Sequence, residues 1–345
     1  MIRSPYLLYL GHSNDEVGIK TSRGLAVFRP DDCVGEFRHD DCALTLGLSR
    51  MTLEQAVAAG AKTLVLGIAN AGGKLGDDLV ADAIAAIAAG LDVASGLHNR
   101  LRDDPALVAV AEEHGRALHD VRDPRPDIPI GNGKRRAGRR LLTVGTDCSV
   151  GKMYASLCLE RGMRARGLTA DFRATGQTGI LIAGSGVPLD AVIADFISGA
   201  IEQISPARED DGWDLIEGQG SLFHPSFAGV STGLLHGAQP DALVLCHDPV
   251  RDHMRGLPHY PLPGLKETLE ANLAVARLTN PDVRAVGVAL NTSKLAPEAA
   301  KRLCAETEDA LGLPCTDPYA MGVDSIIDRI TACFAPSPRV ATLSR

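Results

Sequence analysis

The stretch Leu141-Leu-Thr-Val-Gly145-Thr-Asp-Cys-Ser-Val-Gly151-Lys152-Met153 decides the fold class of the chain. Its apolar residues predict a strand, which runs into a Gly-x-x-x-x-x-Gly-Lys loop and then into a helical segment. In such loops backbone N–H groups and a helix N-terminus surround a phosphate, and the lysine adds a positive charge. The common version has four residues between its glycines, whereas this loop has five. The sequence therefore predicts phosphate binding, with an ordinary strand-to-helix turn as the alternative, by Gly145, Thr146, Asp147, Cys148, Ser149, Val150, Gly151, Lys152 and Met153.

The residue after the lysine argues against phosphoryl transfer. Loops that cut nucleotides carry Ser or Thr at this position to hold Mg²⁺. The thioether of Met153 is a poor ligand for a hard cation, and Ser156 lies too far along the helix to replace it simply. We therefore expect the loop to bind the phosphates of a ligand such as coenzyme A without transferring them, and we expect no metal requirement.

Strands and helices alternate on both sides of the loop, which predicts parallel sheets. The first part includes a strand at 63–68 and helices at 77–89 and 105–115. The second part has strands at 140–144, 168–173, 215–217, 242–246 and 286–290, and helices at 151–166, 189–203, 265–279 and 297–311. The prediction is an α/β protein with a Rossmann-like parallel sheet in an N-terminal domain (1–122) and a P-loop NTPase-like parallel sheet in a C-terminal domain (141–345). The Pro-, Gly- and Arg-rich segment 123–140 is predicted to be a linker, either solvated or forming a basic rim for an anion.

Three polar segments follow strands of the second part. They begin at Arg173, Glu217 and His247. Ligands of doubly wound sheets bind beyond the carboxyl ends of the strands, so these segments should converge near the loop. From them we predict substrate-binding residues Arg173, Gln177, Thr178, Gln219, Ser221, His247 and Arg251. The glycine turn Gly67 to Lys74 is a weaker candidate for ligand contact, with a purely structural turn as the alternative.

Three side chains in these segments and in the loop are candidates for chemistry. Glu217 could act as a general base or as a binding group, and a carboxylate that only caps a loop is the alternative. His224 is a second candidate base, although a lone histidine often has a structural role. Cys148 could be a nucleophile, but a small residue at this position could also simply fit the turn.

Composition excludes several classes of function. The net charge is −8, from 35 Lys and Arg against 43 Asp and Glu, and aromatic residues make up only 4% of the chain. Nucleic-acid binding relies on clustered positive charge and on aromatic stacking, so we expect no nucleic-acid partner. The apolar N-terminal run is too short for a signal peptide, and no stretch approaches the ~20 apolar residues of a membrane span. The eight cysteines form no Cys-x-x-Cys pair, which favours reduced thiols in the cytoplasm.

The motifs carry a family resemblance over nearly the whole chain. The loop is similar to that of dethiobiotin-synthetase-like P-loop proteins. The fuller set resembles a family long described as a domain of unknown function, with a Rossmann-like N-terminal part and a P-loop C-terminal part. The segments that carry the resemblance are Gly67–Gly73, Ser95–His98, Ala174–Gly179, Asp190–Phe196, Glu217–Ser221 and Leu235–Gly237.

Some members of that family are described as D-glutamate N-acetyltransferases. The resemblance implies that the loop, with Lys152, holds acetyl-CoA and that the partner is a small amino acid. It further implies that Glu217, or alternatively His224, acts as the base and that Arg173 and Arg251 hold the carboxylates. Backbone N–H groups of residues 218–221 would then stabilise the oxyanion. An ATP-dependent ligase or kinase of the dethiobiotin-synthetase type and a non-catalytic nucleotide sensor remain alternatives, and a homo-oligomer is expected from the habits of such enzymes.

Overall fold

The contacts of the chain divide it into two units, Met1–Pro126 with Ala174–Ala191 and Asp127–Arg173 with Val192–Arg345. A computed structural model describes residues 2–16, 18–68, 75–124 and 127–334. The first unit thus includes a short segment, 174–191, that the sequence analysis assigned to the P-loop domain.

The first unit is built on a parallel sheet. In the described residues its five strands have the order β2-β1-β3-β4-β5. Strands β1, β3 and β4 are buried along their whole length, as expected when helices cover both faces of a parallel sheet. The strands are β1 (Tyr6–Gly11), β2 (Cys33–Arg38), β3 (Thr63–Leu66), β4 (Asp92–Ser95) and β5 (Leu118–Asp120).

Helix ends in the first unit follow local sequence signals. The helices are α1 (Lys20–Phe28), α2 (Leu53–Ala58), α3 (Asp77–Ala88) and α4 (Pro105–His114). The Asp104 carboxylate accepts hydrogen bonds from the backbone N–H groups of Ala106 and Leu107 at the start of α4. Gly115 ends α4 with a φ of 61°. The predicted helices at 77–89 and 105–115 are confirmed.

The second unit carries the larger parallel sheet. Its strands in the described residues have the order β13-β12-β9-β6-β8-β7, and β10 and β11 form a separate antiparallel pair. They are β6 (Arg139–Gly145), β7 (Ala170–Arg173), β8 (Trp213–Ile216), β9 (Ala242–His247), β10 (His253–Met254), β11 (Leu257–Pro261), β12 (Arg284–Leu290) and β13 (Cys315–Thr316). Because β6 pairs with β8 on one side and β9 on the other, the loop after β6 lies between the carboxyl ends of those two strands. The predicted fold class of two parallel-sheet α/β domains is confirmed.

The remaining helices are α5 (Lys152–Ala165), α6 (Gln177–Ala183), α7 (Ile197–Ile204), α8 (Ala228–Ala238), α9 (Leu265–Arg277), α10 (Pro297–Leu311) and α11 (Asp324–Phe334). Helix α6 belongs to the first unit and the others to the second. Within the described residues, no helix combines the length and apolarity needed to cross a bilayer.

The helix predicted at 189–203 is wrong over its first half. Residues Leu189–Ala191 and Ala194–Phe196 form separate 3-10 turns, and α7 begins only at Ile197. Ile193 lies between the turns with an extended backbone (φ −59°, ψ 138°), which interrupts any continuous helix. Asp190 forms an ion pair with Arg122 instead of lying in a helical first turn.

The predicted linker, 123–140, is not uniformly solvated, and its last two residues already belong to β6. Arg140 is only 2% exposed, and its guanidinium donates to the Ser205 hydroxyl and to backbone carbonyls. Arg136 donates to the carbonyls of Ser205 and Ala238. These two arginines therefore anchor the segment to the second unit.

Candidate functional site

The loop between β6 and α5 has the backbone of a tight anion-binding turn. Gly151 stands immediately before α5 with a φ of +100°, a region that disfavours any residue with a Cβ. Ser149 also has a positive φ, 54°, which is uncommon for a residue other than glycine. The helix N-terminus therefore faces the loop that precedes it, which is the arrangement that binds anions.

Lys152 is folded back onto its own loop. Its side chain is 6% exposed, and Nζ donates to the carbonyl oxygens of Asp147 at 2.7 Å and Gly220 at 2.8 Å. Burial lowers the pKa of Lys152, and the nearby Glu217 carboxylate is among the groups that oppose this shift. Both acceptors are neutral carbonyls, so an anionic oxygen at the loop would be a stronger acceptor for this ammonium.

Asp147 stabilises the loop through hydrogen bonds and an ion pair in its interior. The carboxylate is fully buried and accepts hydrogen bonds from the backbone N–H groups of Cys148 and Arg255, each at 2.7 Å. Arg251 adds an ion pair at 2.7 Å. Burial alone would raise the pKa of Asp147, but these bonds outweigh it and hold the pKa below its usual range. Asp147 is therefore a charged structural group of the loop.

Arg251 and Arg255, which flank β10, donate hydrogen bonds to the loop. The Arg251 guanidinium also donates to the carbonyls of Cys148 at 2.8 Å and Ser149 at 3.2 Å. Arg255 donates to the Ser149 hydroxyl. Sequence reasoning missed Arg255, because it lies in the turn between β10 and β11, and the very short strands leave no periodic signal.

The segment after β8 packs directly against the end of β6 and the loop that follows it. A Cβ at Gly218 would lie 1.7 Å from the Thr143 carbonyl oxygen, so only glycine allows this close approach. The Gly218 N–H donates to Thr143 Oγ1 at 3.0 Å, and Ser221 Oγ donates to the Thr146 carbonyl at 3.0 Å. Glu217, which is 5% exposed, is thereby held beside Lys152. The structure thus brings the Glu217 segment to the loop, as the strand order predicted.

His224 has an unusual hydrogen-bonding state. Its side chain is 3% exposed, Nδ1 accepts the Ser226 N–H at 3.1 Å, and its ring stacks on Phe227 with centroids 4.3 Å apart. Nε2 is buried, and no acceptor for it exists among the described residues. Leaving a buried donor unpaired costs about 1–3 kcal/mol, so such a group is a candidate for ligand contact.

A metal site at the loop is disfavoured by the bonds its members already make. Ligand atoms of Asp147, Cys148 and His224 all lie within 4.8 Å of one another. A histidine that binds a metal normally donates its second ring nitrogen, whereas Nδ1 of His224 accepts a hydrogen bond. Burial and the Asp147 charge raise the pKa of Cys148, so this thiol is also a poor nucleophile at neutral pH.

His247 joins the loop at the end of β9. Its Nδ1 lies 2.9 Å from Thr146 Oγ1, and burial lowers the pKa of the imidazole. Gln219 also lies in the segment at the loop, where its carbonyl accepts the Ser231 hydroxyl at 2.8 Å. Both predicted residues therefore lie at the same edge of the sheet.

Three predicted substrate residues belong to β7 and to the segment that follows it. The Arg173 backbone lies beside Glu217, whose N–H donates to the Arg173 carbonyl at 3.0 Å. Arg173 forms an ion pair with the buried carboxylate of Asp214 at 2.9 Å. Gln177 and Thr178 lie on α6 in the first unit, where Thr178 Oγ1 is 2.8 Å from Thr21 Oγ1. Of the weaker glycine turn, residues 69–74 lie outside the described residues. Gly67 packs so tightly against Ser22 that a Cβ would lie 1.7 Å from its hydroxyl oxygen.

Family models and known proteins match the chain over nearly its whole length. Residues 40–124 match a family model described as the DUF1611 Rossmann-like domain, and residues 129–327 match the DUF1611 P-loop domain, both of unknown function. A crystal structure of a DUF1611 family protein from Anabaena variabilis has a TM-score of 0.87 at 34% identity, covering 96% of this chain and 100% of that one.

Two curated relatives carry an enzyme name. A protein from Tritonibacter scottomollicae is 53% identical over 332 residues, which is 96% of this chain and 100% of the relative. A protein from Pseudoalteromonas sp is 51% identical over 326 residues, which is 94% of this chain and 98% of the relative. Both are named D-glutamate N-acetyltransferase.

Proposed function

The chain belongs to the DUF1611 family, and on that premise we propose that it is a D-glutamate N-acetyltransferase that takes its acyl group from acetyl-CoA. The names of the two relatives support the reaction, and the chemistry of the loop supports the donor. Acetyl-CoA carries phosphates that a glycine loop and a lysine can hold.

The observation that carries the proposal is a phosphate-type loop without a Ser or Thr directly after its lysine. Met153 follows Lys152, and the hydroxyl of Ser156, the nearest serine of α5, lies 3.1 Å from the Thr143 hydroxyl in the buried interior. Phosphoryl transfer at such loops depends on a Ser or Thr ligand for the metal. Acyl transfer from a thioester moves no phosphate and needs no metal.

Glu217 is our proposed general base. An ammonium group cannot attack a carbonyl, so a proton must first pass from the amino group of glutamate to a carboxylate. The free amine then forms a C–N bond to the thioester carbon, and the C–S bond breaks. The leaving thiolate takes up the second proton of the attacking nitrogen, and the base releases the first proton to solvent. Glu217 lies next to Lys152, and the backbone N–H groups of residues 218–221 are close enough to the loop to be candidates for oxyanion stabilisation.

The two carboxylates of glutamate need cationic partners. Arg173 and Arg251 stay candidates, with Gln177, Thr178, Gln219, Ser221 and His247 as polar partners. Each arginine already pairs with a carboxylate of the protein, Asp214 or Asp147, so substrate binding would need an exchange of partners.

The test is mass-spectrometric detection of N-acetylglutamate after incubation with acetyl-CoA and D-glutamate, with L-glutamate in parallel. We expect product from the D isomer without ATP or Mg²⁺. Mg²⁺-dependent ADP formation without N-acetylglutamate would instead favour a ligase or kinase of the dethiobiotin-synthetase type. Nucleotide binding without turnover of any co-substrate would favour a sensor.

The cellular location, the partners and the oligomeric state of the enzyme are predictions. All eight cysteines are free, as expected for a cytoplasmic protein, and the acidic net charge speaks against a nucleic-acid partner. We propose a cytoplasmic homo-oligomer that acts on a small molecule, with no membrane partner, and light scattering of the purified protein would test the oligomeric state.

A further inference from the structure

We propose that His224 is a neutral hydrogen-bond donor to an oxygen of the acyl donor and that it is not a base. This inference rests on the proposed function, since it assigns a role to a residue of the same site. It starts from the tautomer of the ring, which the surrounding backbone determines.

The tautomer follows from one hydrogen bond. The Ser226 backbone N–H can only donate, and Nδ1 of His224 accepts it at 3.1 Å. Nδ1 therefore carries no proton, and a neutral imidazole with a bare Nδ1 must carry its proton on Nε2. Nε2 could take a proton from a substrate only if it had first lost its own. The proton of the neutral ring would then lie on Nδ1, where it would point at the Ser226 N–H and break their hydrogen bond.

The His224 ring is held in place beside the loop. Phe227 stacks on one face at an interplanar angle of 24°, which fixes the ring plane. A ring nitrogen of His224 lies within 4.8 Å of Cys148 Sγ and of an Asp147 carboxylate oxygen, so the donor stands beside the phosphate loop. Its Nε2 has no acceptor among the residues that the structure describes.

The contacts of Lys152 suggest how the Nε2–H of His224 could gain an acceptor. In this conformation the loop is closed, because Nζ of Lys152 bonds the carbonyls of Asp147 and Gly220. We expect an incoming anion to compete with these carbonyls for Lys152 and to bring an oxygen acceptor to the Nε2–H of His224. The acceptor is then either a phosphate oxygen or the thioester carbonyl oxygen of acetyl-CoA, and both accept the same bond.

The experiment compares His224→Gln with His224→Ala. Glutamine places an amide N–H near the position of Nε2 but cannot act as a base, whereas alanine removes both functions. We expect His224→Ala to lower kcat/KM for acetyl-CoA by about 10- to 100-fold, the value of a hydrogen bond to a charged group, and His224→Gln to recover most of that loss. Equal losses in both variants, or no loss in either, would overturn the proposal.

Three further measurements keep the result interpretable. His224→Phe preserves the ring stack without a donor and should behave as His224→Ala, which separates lost chemistry from lost packing. His114→Gln makes the same substitution at the exposed last residue of α4 and should leave turnover unchanged. The pH profile of kcat/KM adds a readout that packing cannot mimic, since the acid limb should persist in His224→Gln and would vanish if His224 were the base.

The affinity for CoA distinguishes the two acceptors. Weaker binding of CoA to His224→Ala by calorimetry would place the bond on a phosphate, whereas unchanged CoA binding with a lower kcat would place it on the acyl oxygen. If the unaltered protein forms no N-acetylglutamate, the proposed function fails. The acyl oxygen is then no longer a candidate acceptor, and only the phosphate remains. Weaker CoA binding by His224→Ala than by His224→Gln would support the His224 proposal, and equal affinities would refute it.

Discussion

Two polar networks of the six-stranded sheet differ in how completely their groups are paired. Near the amino end of β8, the carboxylate of Asp214 accepts bonds from Arg208 and the Ser205 hydroxyl. It also accepts a bond from Arg173, whose side chain reaches back from the carboxyl end of β7. Arg140, also buried there, has donors directed at Ser205 and at four backbone carbonyls. Asp214 is thus paired with opposite charges, and the donors of Arg140 are all directed at acceptors. The exception beside them is Nε of Arg136, which has no partner among the described residues.

The carboxyl-end network is incomplete by comparison. Lys152 is bonded only to neutral carbonyls, and His224 has a donor without an acceptor in the described part of the chain. A folded protein gains nothing from an unpaired buried donor, whereas a site that binds an anion gains from a donor already in place. We infer that the amino-end network serves stability and the carboxyl-end network serves binding and chemistry.

The largest expected effect is at Glu217. Glu217→Gln should lower kcat by about 10²- to 10⁴-fold, the usual contribution of a general base, because the amide cannot take the proton of the substrate ammonium. The affinity for acetyl-CoA should not change. The measurement is the rate of N-acetyl-D-glutamate formation, with CoA binding by calorimetry.

A matched substitution on the surface controls for loss of one negative charge. Glu270 on α9 is exposed and forms only a loose pair, 3.9 Å long, with Lys266. Glu270→Gln should retain full turnover, since exposed pairs of this kind contribute little. Full turnover of Glu217→Gln as well would remove Glu217 as the base and would weaken the functional assignment of the carboxyl end.

The amino-end network is tested by stability instead. Asp214→Asn should destabilise the protein by about 1.5–3 kcal/mol, because Arg173 and Arg208 lose a charged acceptor in the interior. Arg208 keeps its pairs with Asp171 and Asp210. Chemical unfolding measures this loss, and turnover per folded molecule should be retained at saturating D-glutamate. A large fall in turnover with unchanged stability would contradict the comparison and would favour Arg173 as a ligand of the substrate carboxylates.

Asp210 offers a close control for that experiment. It bonds the same guanidinium as Asp214, with Arg208 Nε donating to its carboxylate at 2.6 Å, but it lies on the surface. Asp210→Asn should therefore change stability little, since solvent screens the pair. A loss as large as that of Asp214→Asn would show that burial is not what distinguishes the network.

The sequence predicts the carboxyl end well because its signals are local. The glycine spacing around Lys152 and the polar residue at the end of each strand follow directly from the order of residues. Parallel strands necessarily bring those ends together, which is why Glu217 and His247 are found beside the loop.

What the sequence does not predict depends on distant partners. Arg251 and Arg173 carry the charge expected of carboxylate ligands, but each pairs with an aspartate of the protein. Thr178 follows a strand of the second sheet but hydrogen-bonds Thr21, 157 residues away. The tautomer of His224 likewise depends on a backbone N–H whose direction only the folded turn fixes.

The smallest expected effect is a pH dependence at the carboxyl end. Burial lowers the pKa of His247 in the folded state, so below about pH 6.5 the unfolded chain binds more protons than the folded one. Stability should therefore fall as the pH drops from 7 towards 5, with a slope from this group of at most about 1.4 kcal/mol per pH unit. Burial also lowers the pKa of His98 and His119, so the measured slope is shared. His247→Asn, which keeps a polar atom near Thr146, should flatten the slope in unfolding experiments between pH 5 and 7. An unchanged slope would mean that His247 takes up its proton without disturbing the loop, and the contrast between the two ends of the sheet would then rest on Lys152 and His224 alone.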